Sequence, residues 1–470
     1  MNELGKFVNS PFHNESQKMI KLYDVLKKYH PDFENKKFTK ENIFNSLYED
    51  GKESYNDKKM RDRLSDMLKL TEEYLAYIDL KQNTLEFKRN TLHQLGERGL
   101  NVHFDKKDKE IQAIIDSTPH KNEFYFENVY KTHSDRVNYY SHKQLLGKKR
   151  PYFTEVEKEF DHFLNFSLAK MLRYYAFMQN MEGLINYKFK YRFHAHVMDF
   201  IKENNLDEII LIKVFSLMQR LHNQDPDLNS DENAYYELKK IFIENEASFS
   251  QYDKIMISTE LYNRSTKSYF HDRNKFTNEA FEVIKLQLKY EAYPMDNGWM
   301  SREQFFVSVN VAISANDLKW TEKFIKDYTS KVFPHHREDA SLVGKALLFF
   351  AQRKYEDTLM LLAKGKNSDY IYYVLTKTLL CKAYYELNEY EKVLTVLDSF
   401  RHYLTTNRFI PAGTKTSYSH FVETLNKIIL LRFNKDEFKL AKIIEELKSK
   451  IGTKHTPNKT WLLEKALQLE

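Results

Sequence analysis

His194 and His196 stand two apart in RFHAHVM. On a helix that spacing turns them about 200° from each other, so one metal ion cannot draw on both. His335 and His336 follow Pro334 in a turn and need further ligands from elsewhere in the chain to hold a metal. The one cysteine, Cys381, sits in the apolar phrase TLLCKAYYEL, where a small buried side chain is expected rather than a nucleophile. A single cysteine also excludes an intramolecular disulfide and any multi-thiolate zinc site. The 11 glycines form neither GxxxxGK(S/T) nor GxGxxG, so no phosphate-cradling loop is present, and neither GxSxG nor HExxH occurs. The 67 carboxylates alternate with lysines on faces that must be solvated, and none forms a pair against an apolar background as a general acid and base require. The residues therefore predict a protein that is not an enzyme, with no catalytic residues, no cofactor and no metal.

The elements that would carry any site are helices. Only 11 glycines and 9 prolines occur in 470 residues, about 4% against roughly 12% in average usage, too few turn-formers for a sheet-rich fold. The 73 basic side chains are nearly matched by 67 acidic ones, and the net charge of +6 does not imply a nucleic-acid partner. The N-terminal MNELGKFVNSPFHNESQKMIKLY lacks the apolar core of a signal peptide, and the apolar run ALLFFA at 346–351 is far short of the roughly 20 residues needed to span a bilayer. A cytoplasmic protein with no membrane contact is the expectation.

Along the chain, the clearest early helix is 57–75, with Met60, Leu64, Met67, Leu68, Thr71, Tyr74 and Leu75 on one side. Helices follow at 80–99, 105–117 and 121–141, before GKKRP at 147–151 breaks the pattern and suggests a boundary between an N-terminal helical subdomain, 1–150, and the remainder, 151–470. A strongly aromatic helix at 155–180 places Phe160, Phe163, Leu164, Leu168, Met171, Leu172, Tyr175 and Met178 at three- and four-residue steps. Further helices are predicted at 194–203, 207–221, 231–245, 250–263 and 275–291.

From about 303 to 450 the chain repeats. Trp320, Tyr355 and Tyr390 fall 35 residues apart at one point of a shared helical phrase. Nine residues before them stand Val311, Ala346 and Cys381, three after stand Lys323, Thr358 and Val393, and four after stand Phe324, Leu359 and Leu394. Phe438 opens a similar phrase, with Ile429 before it and Ala441 after it; the longer step from Tyr390 predicts an inserted loop at 405–417. These features resemble the tetratricopeptide repeat, a helix–turn–helix of about 34 residues with small residues at the crossing and an aromatic opening the second helix. Lys323 departs from the family's small residue, and most of its glycines and prolines are missing. The resemblance implies an all-α fold whose C-terminal part is an α-solenoid of stacked helix pairs. A second resemblance covers nearly the whole chain: SPFHNESQKMIKLYDVLKKYHPDF, YNDKKMRDRLSDMLKLTEEYL and FLNFSLAKMLRYYAFMQN look like segments of a group of uncharacterised helical proteins from Bacteroidota-type bacteria. It implies a helical, cytoplasmic protein and carries over no catalytic residue.

Together these readings predict a non-catalytic scaffold or adaptor that docks a peptide or helix of a protein partner on the concave face of its repeats, with Asn310, Lys345, Lys377 and Lys382 as groove contacts. The competing expectation is a nucleic-acid-associated transcriptional regulator using the helix-turn-helix-like segment 38–75. Its exposed face mixes Lys58 and Lys69 with Asp62, Asp66, Glu72 and Glu73, which would repel phosphate.

Overall fold

A computed structural model describes residues 1–31, 33–48, 53–119, 121–142, 151–184, 187–222, 228–266, 273–296, 298–365, 370–434, 437–449 and 456–469. Among these are 22 α-helices and one minimal hairpin, Met295–Asp296 with Trp299–Met300, so the protein is all-α. It divides into two compact units: Met1–Pro119 with Glu123–Ser167, and His120–Asn122 with Leu168–Glu470. Of the segment 147–151, where the sequence suggests a boundary, only Pro151 is among the described residues, and the helix it begins runs across the division at Ser167.

The first unit contains α1 (Asn2–Val8), α2 (Gln17–Lys27), α3 (Lys40–Leu47), α4 (Asp57–Gln82), α5 (Thr84–Glu97), α6 (Asn101–Ser117), α7 (Glu123–His142) and the first half of α8 (Pro151–Leu184). One core gathers Phe7, Leu22, Phe44 and Met60 from α1–α4; another stacks Phe104 of α6 on Tyr139 of α7, with ring centroids 3.6 Å apart, beside Leu92 and Ile111. In α4 the buried stripe is Met60, Met67 and Leu70, flanked by half-buried Leu64, Thr71 and Tyr74. Leu68 and Leu75, expected on that face, are exposed, because they lie at its edge and α1–α3 cover only a narrow strip. The helix expected at 80–99 is broken at Asn83, whose Oδ1 accepts from the Glu86 backbone N–H at 3.3 Å and whose Nδ2 donates to the Glu86 carboxylate at 2.8 Å, a reciprocal cap that starts α5.

The second unit holds the rest of α8, then α9 (His194–Glu203), α10 (Ile210–His222), α11 (Leu228–Glu244), α12 (Gln251–Thr266), α13 (Arg273–Lys289), α14 (Arg302–Ser314), α15 (Leu318–Tyr328), α16 (Arg337–Ala351), α17 (Tyr355–Leu362), α18 (Tyr370–Glu386), α19 (Tyr390–Thr406), α20 (Ala412–Phe433), α21 (Glu437–Ser449) and α22 (Lys459–Leu467). Three successive pairs, α14/α15, α16/α17 and α18/α19, reverse direction through the same turn. Asn316, Arg353 and Asn388 take left-handed φ values of 59°, 62° and 62°. The N–H of each donates back into the ending helix, to Ile313, Phe350 and Tyr385, and the next N–H reaches Ala312, Phe349 and Tyr384 at 2.9–3.1 Å. That is the Schellman arrangement, which satisfies the orphan carbonyls of the first helix while aiming the chain into the second.

Measured from this residue, the pairs superpose in sequence. Val309, Ala346 and Cys381, seven positions before it, are fully buried, as are Thr321, Thr358 and Val393, five positions after it. The second helices open with Leu318, Tyr355 and Tyr390, so Trp320 lies two residues past the position the aromatic spacing assigned to it. The same shift replaces Val311 by Val309 and Lys323 by Thr321, both fully buried. First helices also touch the following pair: α14 packs on α16 and α16 on α18, while α15 and α17 pack on α16 and α18. Where α14 and α16 meet, a Cβ added to Gly344 would lie 3.1 Å from the Phe305 ring.

The fourth phrase behaves differently. Phe438 is 81% exposed and Ala441 is exposed, while Leu440, Ile443 and Ile444 face the core. The loop expected at 405–417 is mostly helical: α19 runs to Thr406 and α20 begins at Ala412, so the extra residues lengthen helices.

The turn geometry makes a prediction. Arg353 is exposed and carries a Cβ in the left-handed region, so Arg353→Gly removes strain without removing packing. It is expected to raise unfolding stability by roughly 0.5–1 kcal/mol in a urea titration, the gain left after the extra freedom of glycine in the unfolded chain. An unchanged or lower midpoint would show that strain at the turn does not exceed the entropy glycine adds to the unfolded chain.

Candidate functional site

Helices α13 and α15 lie side by side and leave a groove of about 350 Å³ lined by Lys285, Leu288, Lys289, Trp320, Lys323, Phe324, Asp327 and Tyr328. The α13 residues are spaced i, i+3, i+4 and those of α15 i, i+3, i+4, i+7, i+8, so each helix offers one face. On α15 the Trp320, Phe324 and Tyr328 rings form a ladder, with centroids 5.1 and 4.7 Å apart and planes inclined by 7° and 20°. Phe281 of α13 closes on Trp320 edge-on at 5.0 Å. The ring faces are thus spent on one another and on Phe281, leaving ring edges toward the groove.

Three lysines and one aspartate edge this apolar floor. Lys285 is half-buried, stands 4.1 Å from the Phe281 ring and pairs with Glu282 at 2.9 Å; Lys289 and Lys323 are exposed, and Lys289 donates to the Tyr290 hydroxyl at 3.1 Å. Asp327 is exposed at the Tyr328 end, and burial raises the Tyr328 hydroxyl above the usual phenol range, with Glu291 and Asp327 adding to the shift. The arrangement can hold an anionic group at its rim with an apolar side chain on its floor; no side chain is poised as nucleophile or base.

The residues proposed from sequence sit elsewhere, on first helices, and do not converge. Asn310 of α14 and Lys382 of α18 share one position relative to their turns, six residues before Asn316 and Asn388, while Lys345 and Lys377 fall on other sides of α16 and α18. Asn310 donates to the Phe306 carbonyl at 2.9 Å, and Lys345 is exposed. Lys377 donates to Ser399 Oγ at 3.1 Å over the Tyr373 ring. Lys382 is covered by the chain's own α22: it donates to Asn458 at 2.9 Å and its ammonium lies 4.6 Å from the Phe350 ring and 5.7 Å from Trp461. Beside it Glu386 accepts from Trp461 Nε1 at 2.6 Å and pairs with the buried Lys465 at 2.9 Å. Sequence reasoning missed Lys285 and Lys289; the signal available was the aromatic i, i+4, i+8 ladder of α15 with Lys323 between its rungs, which reads equally as core.

The histidines take ordinary places. His194 lies 3.1 Å from Gln219 and edge-on to Tyr175, His196 is exposed, and His336 contacts both His335 and Phe333. No group of three His, Cys, Asp or Glu side chains among the described residues could hold a metal ion, and Cys381 is buried with its thiol pushed up by desolvation. No helix among the described residues is long and apolar enough to cross a membrane. No protein-family model matches the chain, and no curated protein matches it either.

Burial against Phe350 and Trp461 pushes the Lys382 amine down to about 8, against the pull of Glu386 and Glu464 and with Lys465 adding to the depression. Between that value and the unfolded lysine value of about 10.4 the folded state holds fewer protons, so this group's contribution to stability rises with pH across that window. Competitive acylation is expected to titrate Lys382 near pH 8 and to return it toward the ordinary value in Phe350→Ala; a Lys382 that titrates with the surface lysines would contradict the burial.

Proposed function

We propose that this chain is a non-catalytic interaction protein that binds an acidic peptide segment of a protein partner in the α13–α15 groove. Its C-terminal helices serve as a tetratricopeptide-like solenoid that fixes the groove's shape, and it works in the cytoplasm. The observation that carries the reading is the pairing of an apolar floor of ring edges with Lys285, Lys289 and Lys323 along its rim. An extended or helical acidic segment would place an aliphatic anchor on the floor, where desolvation supplies affinity, and its carboxylates beside the lysines, where charge supplies selectivity and on-rate. Support for the solenoid comes from the common left-handed turn of three pairs and from the packing of each first helix on the next.

Nucleic acid is the less favoured partner on two grounds. The ladder rings stack on one another, so their faces do not offer the platforms that unpaired bases need. In the 38–75 segment several basic side chains are tied to acids: Arg61 to Asp57 at 3.0 Å, Arg63 to Asp66 at 3.2 Å and Lys59 to Glu53 at 2.8 Å.

Fluorescence anisotropy with three labelled probes tests the proposal: a Glu/Leu peptide, its Gln/Leu counterpart and oligothymidine. The full chain is expected to bind the Glu/Leu peptide at least about tenfold more tightly than the other two, a difference of about 1.4 kcal/mol. Lys289→Glu with Lys323→Glu should abolish that preference at unchanged helicity. Equal binding of the Gln/Leu peptide, or indifference to the double reversal, would reject the groove as an acidic-peptide site. Preferred binding of oligothymidine would transfer the reading to a nucleic-acid-associated regulator.

A further inference from the structure

The first half of α8 is amphipathic the wrong way round. Its inward side carries ions: Glu155 Oε2 lies 2.5 Å from His133 Nδ1 of α7 and 3.7 Å from the Arg136 guanidinium, which in turn donates to Asp108 at 2.8 Å and Gln112 at 2.9 Å of α6. Burial alone would push the Glu155 carboxyl up, but His133, Arg136 and Lys158 outweigh it and hold it at about 2, so the inward side keeps its charge. His162, one further turn pair along, stacks on the His133 ring at 5.1 Å. The outward side is apolar: Phe153, Val156, Phe160 and Phe163 are 60%, 40%, 62% and 46% exposed. Their 3-4-3 spacing draws one continuous stripe along the helix, of the kind that normally faces a partner helix. Leaving such a stripe in water forfeits apolar burial worth about 25 cal/mol per Å², and exposed contiguous patches of this type mark interaction sites.

The rim identifies the occupant. Helical geometry places Glu157 and Asp161 along one edge of the stripe and Glu159 along the other, and within Phe153–Phe163 the one lysine, Lys158, is turned away and paired with Glu155 at 3.2 Å. A second copy of the same helix would bring carboxylates against carboxylates. The chain as a whole carries a net charge of +6, so an acidic edge here runs against the average and is not a general property of the surface. We propose that the outward face of α8 from Phe153 to Phe163 docks a basic amphipathic helix of a partner protein, its apolar stripe on the phenylalanines and its lysines or arginines on Glu157, Glu159 and Asp161. The ion network behind α8 ties the helix to α7, whose Arg136 is held in turn by α6, so the surface is presented preformed. This surface is independent of the α13–α15 groove.

The test uses the full chain and a fluorescein-labelled amphipathic Lys/Leu helix, with its Gln/Leu counterpart as control. Saturable binding of the Lys/Leu probe is expected, weaker by at least about tenfold for Gln/Leu, for Phe160→Asp and for Glu157→Lys with Asp161→Lys, all at unchanged circular dichroism. Lys289→Glu with Lys323→Glu should leave it untouched, which separates failure here from failure of the groove. The proposal is overturned if Phe160→Asp binds as the unaltered chain does or if the Gln/Leu probe binds equally well. Sedimentation that finds a dimer converted to monomer by Phe160→Asp would assign the face to self-association instead.

Discussion

Two helices can cross closely only if the chain between them reverses in few residues and the side chains at the crossing are small. In α14–α19 both conditions are met at fixed positions. A left-handed residue closes each first helix, a fully buried Val, Ala or Cys stands seven residues before it, and a fully buried Thr or Val stands five after it. The hydroxyl of Thr358 is accommodated by donating to the Lys354 carbonyl at 2.8 Å, and that of Thr321 by donating to Asp317 at 2.8 Å, so neither leaves a polar group unsatisfied at the crossing.

The groove is what remains when the ladder on α15 is packed from one side only. Phe324 is buried while Trp320 and Tyr328 are half-buried, so the ladder both closes the core and supplies a floor. The lysines at its edge are on faces that water can reach, where charges cost little to maintain and interact only modestly with their neighbours. The first half of α8 shows the opposite choice: a buried ion network on one side and exposed phenylalanines on the other. Removing one member of such a network leaves its partner charged and unpaired, which makes the inward contacts demanding and the outward face available.

Much of the architecture was legible in the sequence. Helical periodicity and the scarcity of turn-formers gave the all-α class, and the 35-residue spacing of Tyr355 and Tyr390 located two turns that share one geometry. The register of the first pair, α14/α15, is not legible from aromatics, because Trp320 continues the i, i+4 ladder of its own helix and so mimics the marker at the wrong turn. The better signal was Asn316-Asp317, a residue tolerant of the left-handed region followed by a helix cap whose Oδ1 accepts from the Trp320 backbone N–H at 3.0 Å. The extra residues before Phe438 could not be told apart as loop or helix, since insertion length carries no conformation. The lysines of α13 were invisible as a site because they meet α15 only through tertiary packing. In α8, Phe160 and Phe163 were grouped with Leu168 and Leu172 on one apolar face, yet only the later residues are buried; sequence gives the stripe but not which neighbour covers each turn.

The register of the pairs is most directly tested by urea unfolding of Val309→Phe beside Val311→Phe. The turn-based register places Val309 at the crossing, where overpacking is expected to cost about 1–3 kcal/mol, and leaves Val311 half-buried with a markedly smaller loss. A larger loss at Val311 than at Val309 would restore the aromatic register and contradict the common turn as the element that aligns the three pairs.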